Sequence, residues 1–386
     1  MGALSGRNSA LDALERAVAG QRLSAKEILS LYEVPTPELA AAAHEVRLQR
    51  TPPNIVSYPI GGNIDYTSIC TVACRFCLFY RAQHQQGAFT LSFDEIARQM
   101  EAIRRFGGRE VLIQGGVNPD LPFDWYVRLM CMLKRSFPGI HVDALSPEEV
   151  LGLETLTGRS ARSLLGDLKE AGLDGMPGAA AEILVDEVRL RVAPSRIRSG
   201  DWLRIIDAAQ EHGLLVPWVG MVTGFGESLM QRVDHLLLLR AQQDRALERY
   251  DNGFVAFKVW PARLEHTRLC REQVSPDTVA EQYVREVAIA RLALDNVRNH
   301  RTVWRTMGFG VAQKALRAGA NDICATGSIN AIDAVMVVAG RGLPDPNQEL
   351  LEQVRECIVA AGFSPALRNA HYKLLGSEHL VPTNGM

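Results

Sequence analysis

The chain has 386 residues, of which 47% are hydrophobic and 22% are charged, a balance typical of a globular protein. This length suffices for one large barrel domain or for two ordinary domains. The 42 basic and 44 acidic residues leave a net charge of −2, so the composition gives no indication of binding to nucleic acid or to an anionic membrane surface.

The cysteine content and the N-terminus favour a cytoplasmic location. Seven cysteines, an odd number in a long chain, argue against a disulfide framework and for a reducing compartment. Charged residues such as Arg7, Asp12 and Glu15 interrupt any apolar core that a signal peptide would need. Because no run of about 18 apolar residues occurs, the sequence predicts no transmembrane helix.

Residues 1–55 are predicted to form an N-terminal helical extension that carries no recognisable chemistry. Apolar residues recur there at helical spacing. Ser24 and Glu27 have the spacing of a capping box, which predicts the start of a second helix. A third, alanine-rich helix is predicted over Leu39–Arg47, after a proline that marks the turn.

From Ile60 onward, strand and helix patterns alternate, which is typical of proteins built from β/α units. The predicted strands are Ile64–Ile69, Glu110–Gln114, His141–Ala144, Leu173–Gly175, Leu215–Thr223, Phe254–Val259, Thr302–Thr306 and Asp322–Ala325. The predicted helices are Phe93–Phe106, Phe123–Phe137, Asp201–His212, Leu229–Ala246 and Val279–Val297. This order predicts a TIM-type (β/α)8 barrel over residues 56–340 and a C-terminal helical extension over residues 341–386 that packs on it. A doubly wound open sheet is the alternative.

Three cysteines follow the first predicted barrel strand at C-x3-C-x2-C spacing: Cys70, Cys74 and Cys77. Soft thiolate ligands select zinc or iron–sulfur clusters. A structural zinc site normally closes with a second pair of cysteines or histidines, and the remaining cysteines of this chain are isolated. Three ligands therefore favour a 4Fe-4S cluster with one open iron, and a zinc loop is the alternative.

With Phe76 as the aromatic residue before the third cysteine, this loop resembles the signature of the radical S-adenosyl-L-methionine (SAM) enzymes. The resemblance implies that the open iron binds SAM and that reduction of the cluster yields a 5′-deoxyadenosyl radical. It further implies a small-molecule substrate and an electron donor such as flavodoxin or ferredoxin. A non-catalytic zinc or metal-sensing protein is the alternative from a different class.

Further polar and small residues follow the other predicted strands, where a barrel carries its functional groups. Gln114, Gly115 and Gly116 follow the second strand, and paired glycines let a backbone approach a ligand closely. They resemble the family's motif that holds the methionine end of SAM.

Three more residues are predicted to contact the cofactor. Ser146 could face the cavity, although its position before a helix equally fits a cap. Glu182 lies beside small residues, where a carboxylate could accept hydrogen bonds from ribose hydroxyls. Thr223 ends the fifth predicted strand and is expected at the barrel mouth.

The resemblance extends over roughly residues 10–375 and is closest to the menaquinone-futalosine and deazaflavin branch of the superfamily. The segments that carry it are Asn63–Cys70, Cys77–Arg81, Gln114–Pro122, Ala320–Asp322 and Ala361–Asn369. Within the branch, Met176–Leu184 and Trp260–Leu269 are most similar to the ring-closing enzymes. The resemblance then implies hydrogen abstraction from a ribose and attack of that carbon on an attached benzoate ring. Sister enzymes of the branch remain the alternative.

Restoring the aromatic ring after such a closure releases a proton, so a residue at the barrel mouth must accept it. Glu227, Tyr80 and His266 all lie close after predicted strand ends or the cysteine loop, and the sequence does not choose among them. Trp260 could stack on an aromatic ring or fill the barrel mouth.

Overall fold

The structure is a computed structural model that describes residues 2–262, 264, 267–269, 276–324 and 348–376. Its strands are β1 (Ile55–Tyr58), β2 (Gly61–Asp65), β3 (Glu110–Gln114), β4 (His141–Ala144), β5 (Val219–Thr223), β6 (Ala256–Pro261), β7 (Asn299–Thr302), β8 (Asp322–Ile323) and β9 (Ser364–Leu367).

The helices surround these strands in chain order. They are α1 (Gly2–Val18), α2 (Ala25–Ser30), α3 (Thr36–Arg50), α4 (Phe93–Arg105), α5 (Phe123–Ser136), α6 (Pro147–Thr157), α7 (Ala161–Ala171), α8 (Asp186–Val192), α9 (Ser199–Glu211), α10 (Leu229–Tyr250), α11 (Pro276–Ala293), α12 (Trp304–Met307), α13 (Phe309–Leu316) and α14 (Gln348–Ala360). None of the helices in the described ranges is long and apolar enough to cross a lipid bilayer.

The strands pair in parallel and form two sheets, in the orders β5-β6-β7-β8-β1-β9 and β2-β3-β4. Isolated parallel bridges from Asp143 to Gly175 and from Gly175 to Leu215 connect β4 with the segment that leads to β5. The helices cover the outer face, and the carboxyl ends of the strands lie at one end of the molecule. The predicted TIM-type barrel is confirmed.

The structure differs from the predicted strands at several positions. Strands β3 and β4 have the predicted bounds, whereas Leu173–Gly175 contributes bridges at Gly175 and no strand. A Cβ at Gly175 would lie 2.1 Å from Asp143 Oδ1 and 2.7 Å from the Leu215 carbonyl, so this close passage requires glycine. Strands β1 and β9 were not predicted, because both are short and β9 contains Pro365, which its position at a sheet edge tolerates.

The predicted N-terminal helices are confirmed, and they pack on the barrel. The capping box forms as predicted, since the Ser24 backbone N–H donates to Glu27 Oε2 at 2.7 Å and Ser24 Oγ accepts from the Glu27 N–H. The buried Arg47 side chain of α3 donates hydrogen bonds to the carbonyls of Pro53 and Ile55 at 2.7 Å each. These contacts fix the position of α3 beside β1. The boundaries 1–55, 56–340 and 341–386 stay predictions.

A buried ion-pair network joins the two sheets. Arg368, which follows β9, donates to Asp322 of β8 at 2.7 Å and to Glu110 of β3 at 3.0 Å. The side chains of Arg368 and Asp322 are both fully buried. Because a buried charge is tolerated only when it is paired, these residues constrain how the sheets meet.

Replacing Arg368 by Met should lower the free energy of unfolding by about 3–5 kcal/mol, because Asp322 would lose its bidentate partner in a buried environment. Urea unfolding followed by circular dichroism measures the effect. Arg105→Met, which removes an exposed arginine from α4, is the control and should cause no measurable change. Equal stability of R368M and R105M would contradict this role.

Candidate active site

The three cysteines of the predicted metal loop lie together after β2. Cys70, Cys74 and Cys77 line one cavity of about 240 Å³ at the carboxyl ends of β2 and β3. Backbone hydrogen bonds fix the loop, including Cys70 N–H to the Arg81 carbonyl at 3.1 Å and Cys77 N–H to the Cys74 carbonyl at 3.2 Å. The spacing in the sequence therefore brings the three thiols to a single site.

The surroundings of the thiols fit a cluster bound through thiolates. The guanidinium of Arg196 lies 3.3 Å from Cys74 Sγ and favours the thiolate. Burial favours the neutral thiol and raises the pKa of Cys74 to about 12. Iron would take the place of the proton on each sulfur. The described residues contain no three Cys, His, Asp or Glu side chains placed to hold a single metal ion, whereas the thiolates of a cluster bind separate irons.

Gln114, Gly115 and Gly116 line the same cavity, immediately after β3. A Cβ at Gly116 would lie 2.2 Å from the carbonyl oxygen of Ile69 and 2.6 Å from Cys70 Cβ. The turn after β3 can therefore approach the cysteine loop only with glycine at this position. The predicted contact of these residues with a cofactor remains a prediction.

Ser146 also lines the cavity, but its hydroxyl already has partners. It caps α6 by accepting from the Glu149 N–H and donates to Glu149 Oε2 at 2.7 Å. Glu149 Oε1 accepts hydrogen bonds from Tyr66 Oη at 2.6 Å and from the Gly115 N–H at 3.1 Å. Glu149 therefore positions the glycine turn, a role that the sequence analysis did not assign. Burial raises the pKa of this carboxyl to about 7.

Glu182 lines the cavity as predicted, but it is ion-paired with Arg196 at 2.6 Å. Arg196 also contacts Glu148 at 3.1 Å, and its guanidinium carbon lies 5.7 Å from the centre of the Phe76 ring. One arginine thus links two carboxylates, a cysteine and the aromatic residue of the loop. Sequence reasoning missed Arg196 because it lies between two helices, away from any strand end.

Of the remaining predicted residues, some line the cysteine cavity and others do not. Phe76 and Tyr80 line the cysteine cavity, and the Arg268 guanidinium lies 5.1 Å from the centre of the Tyr80 ring. Thr223 ends β5, and its carbonyl accepts from the Ala262 N–H at 2.7 Å.

Glu227 is predicted from the sequence to lie at the barrel mouth as a candidate proton acceptor. Its side chain is buried and paired with Arg232 at 2.7 Å. Neither Glu227 nor Thr223 is among the residues that line the cysteine cavity or the neighbouring barrel cavity. His266 lies outside the described residues. The roles of Glu227, Thr223 and His266 stay predictions.

A second cavity, here called the barrel cavity, has a volume of about 270 Å³ and adjoins the cysteine cavity. Gln114 lines both of them. Asn63 lines the barrel cavity and donates to Asp65 Oδ1 at 3.3 Å, and Asp65 lines the cysteine cavity. Oδ2 of Asp65 is buried without a hydrogen-bond partner in the described part of the chain, and burial raises the pKa of this carboxyl to about 7. Polar groups therefore form the wall between the two cavities.

Two protein-family models match the chain. The family model of the radical SAM superfamily matches residues 64–239, and that of the CofH/MqnC C-terminal region matches residues 251–380. A cyclic dehypoxanthine futalosine synthase of Halalkalibacterium halodurans is 37% identical over 94% of both chains. A 5-amino-6-(D-ribitylamino)uracil–L-tyrosine 4-hydroxyphenyl transferase of Microcystis aeruginosa is 36% identical over 82% of this chain and 86% of its own.

A solved structure supports the fold independently. The crystal structure of HydG, a maturase of the FeFe-hydrogenase, superposes with a TM-score of 0.69 at 16% identity, covering 93% of this chain and 76% of that chain. The protein belongs to the radical SAM superfamily of enzymes, as predicted from the cysteine loop. It lies in the part of that superfamily that includes enzymes of the futalosine-type menaquinone pathway.

Replacing Glu149 by Ala should lower the free energy of unfolding by about 3 kcal/mol, because the buried hydroxyls of Tyr66 and Ser146 and the Gly115 N–H would lose their acceptor. Thermal and urea unfolding measure the change. Leu156→Ala, at an exposed position of the same helix, is the matched control and should have a much smaller effect. Similar losses in both variants would show that Glu149 does not hold the glycine turn.

Proposed function

We propose that the protein is a cyclase that converts dehypoxanthine futalosine to cyclic dehypoxanthine futalosine, in futalosine-dependent menaquinone biosynthesis. The Halalkalibacterium halodurans relative that bears this activity in its name is 37% identical over 94% of both chains, and the Microcystis aeruginosa hydroxyphenyl transferase is 36% identical over 82% of this chain. The structural observation that carries the proposal is the pair of adjoining cavities. One contains the three thiols, and the other is large enough for an aromatic substrate and contains two indole rings.

The proposed cofactors are a 4Fe-4S cluster on Cys70, Cys74 and Cys77 and SAM beside it. The three thiols in one cavity and the cation next to Cys74 support this assignment. When bound, these cofactors supply a 5′-deoxyadenosyl radical that can take a hydrogen atom from a substrate carbon.

The protein's own residues would contribute positioning. The glycine turn at Gly115 and Gly116 allows a ligand to approach the backbone closely, and Glu149 fixes that turn. Arg196 holds Glu182 in place through an ion pair. The lone pairs of the Glu182 carboxylate that this ion pair leaves free would accept hydrogen bonds from ribose hydroxyls. A substrate in the barrel cavity would meet the cysteine cavity at Gln114. Holding two reacting groups in fixed positions supplies much of the rate enhancement in such a reaction.

The chemistry of the proposed step balances. One hydrogen atom leaves C4′ of the substrate ribose, and this carbon forms a bond to the benzoate ring. The ring then loses one proton and one electron, which the oxidised 4Fe-4S cluster would accept, and the product contains two hydrogens fewer than the substrate. An electron donor such as flavodoxin or ferredoxin would supply the initial electron.

Asp65 joins Tyr80 as a residue suited to accept that proton. Both line the cysteine cavity, and Asp65 has an oxygen without a hydrogen-bond partner among the described residues and a pKa of about 7, near the pH at which a base works efficiently. Glu227 also has one such oxygen, but it is less suitable because it lines neither cavity and its other oxygen is paired with Arg232.

Asp65→Asn should lower the rate of product formation by roughly 100-fold or more while deoxyadenosine still forms, because hydrogen abstraction precedes the loss of the proton. Deoxyadenosine and cyclised product are quantified separately by liquid chromatography. Tyr80→Phe is the comparison variant and should retain turnover within a few-fold of wild type. If Y80F loses product formation and D65N does not, Tyr80 is the acceptor and the assignment to Asp65 is wrong.

The proposed reaction is tested with anaerobically reconstituted enzyme, SAM and dithionite. Dehypoxanthine futalosine and the substrates of the two sister enzymes, aminofutalosine synthase and the F0 synthase subunit, are supplied separately. The proposal expects deoxyadenosine together with a product of dehypoxanthine futalosine that is lighter by two hydrogens. Cys74→Ala should abolish both products, whereas Cys131→Ala, which removes an exposed cysteine, should leave them unchanged.

Conversion of a sister substrate in place of dehypoxanthine futalosine would contradict the cyclase assignment. The hydroxyphenyl transferase of Microcystis aeruginosa, 36% identical to this chain, makes the reaction in its name a further alternative. A protein that binds zinc and releases no deoxyadenosine would contradict radical chemistry altogether.

A further inference from the structure

The barrel cavity contains a buried lysine for which the sequence analysis assigned no role. Lys258 lies on β6, is 7% exposed and lines the cavity together with Trp218 and Trp260. Its Nζ lies 3.3 Å from the ring centre of Trp218 and 4.0 Å from that of Trp260. The two indoles meet edge to face, with centres 5.5 Å apart.

The ammonium group of Lys258 has no anionic partner. Within the described ranges, no hydrogen bond or ion pair joins Nζ to another residue, and its polar contacts are the faces of the two indoles. Burial lowers the pKa of Lys258 to about 7, because water is removed without a counter-ion in its place. Burying an amine in this way costs stability unless a ligand later compensates it.

The described acidic groups that line the cavity already have other partners. Glu110 is paired with Arg368 at 3.0 Å, and Asp143 contacts His141 at 3.0 Å. Cys324 also lines the cavity, but burial raises the pKa of its thiol, so it stays neutral. In the described part of the lining, the amine of Lys258 therefore has no counter-ion when it is protonated.

An arginine of the same wall belongs to the buried ion-pair network. Arg301 lines the cavity and lies 3.3 Å from Asp322, which also pairs with Arg368, and Arg368 pairs with Glu110. These two arginines and two carboxylates balance one another. A negatively charged ligand is therefore the chemical complement of Lys258.

We propose that Lys258 and the indoles of Trp218 and Trp260 form a binding site for an aromatic carboxylate in the barrel cavity. The indole faces would contact the flat ring, and the ammonium group would bind the carboxylate. This inference rests on the proposed function in one respect, because there it assigns the site to the benzoate group of dehypoxanthine futalosine.

The position of the site relative to the cysteines agrees with this assignment. The barrel cavity meets the cysteine cavity at Gln114, so a molecule anchored at Lys258 can extend its other end toward the three thiols. An anchored carboxylate would fix one end of the substrate while its ribose lies at the reacting end. Lys258 is therefore a positioning residue, and its charge makes the site bind acids more tightly than their neutral analogues.

The experiment compares dehypoxanthine futalosine with its carboxamide, which has the same shape without the charge. Binding is measured anaerobically by isothermal titration calorimetry on reconstituted enzyme without reductant, so that no turnover occurs. The wild-type protein should bind the acid roughly 10- to 100-fold more tightly than the amide, the range of a hydrogen bond to a charged group.

Lys258→Met should abolish this preference, because the affinity for the acid should fall to the affinity for the amide. Lys134→Met, which removes a partly exposed lysine paired with Asp174 on the outer surface, is the control and should keep the wild-type preference. Because Lys258 has no hydrogen-bond or ion-pair partner in the described chain and its burial costs stability, K258M should unfold at a midpoint no lower than that of wild type. If K258M fails to fold, the comparison of acid and amide on wild type still decides.

The outcomes separate this inference from the proposed function. Equal binding of acid and amide by wild type, no binding of the acid, or a preference that survives in K258M would each overturn the carboxylate site. If wild type prefers the acid through Lys258 but forms no cyclised product, the site stands and the cyclase assignment fails. If product forms while K258M keeps the preference, the cyclase stands and the site fails.

Discussion

The close approach of the cysteine loop to the turn after β3 is the constraint on which the candidate site depends. A side chain at residue 116 would collide with the Ile69 carbonyl and with Cys70, so the two segments can meet only through glycine. Glu149 holds the turn from the other side through the Gly115 N–H. Parallel strands bring both segments to the same end of the barrel, and the thiols then share one cavity with the glycine backbone.

Buried charged side chains of the barrel form ion pairs with one another. Arg368 with Asp322 joins the sheets, and Arg196 joins Glu182 to the cysteine loop. Among the described residues that line the adjoining cavities, the ammonium of Lys258, Oδ2 of Asp65 and Oδ1 of Asn63 depart from this pattern. Local violations of charge and hydrogen-bond pairing concentrate at functional sites, because a ligand supplies the missing partner. The described part of the molecule thus combines buried ion pairs with unpaired polar groups at the adjoining cavities, which is where we propose that ligands bind.

The sequence could predict the barrel and the cysteine site because both are local signals. Strands β3 and β4 stand out by their apolar pattern, and Cys70, Cys74 and Cys77 are defined by their spacing alone. Pairing between distant residues was not predictable in the same way. Glu227 has a typical position after a strand, yet its side chain is buried and paired with Arg232, which also pairs with Glu286. Arg196 and Lys258 have no local motif, and only the folded chain gives them their neighbours.

The central claim is that a substrate held in the barrel cavity presents its ribose hydrogen at the cysteine site. Dehypoxanthine futalosine that carries deuterium at C4′ tests this claim most directly, with the mass of the released deoxyadenosine as the measurement. The account predicts that one deuterium appears in deoxyadenosine for each molecule of cyclised product. Unlabelled deoxyadenosine formed together with full conversion of the labelled substrate would contradict it.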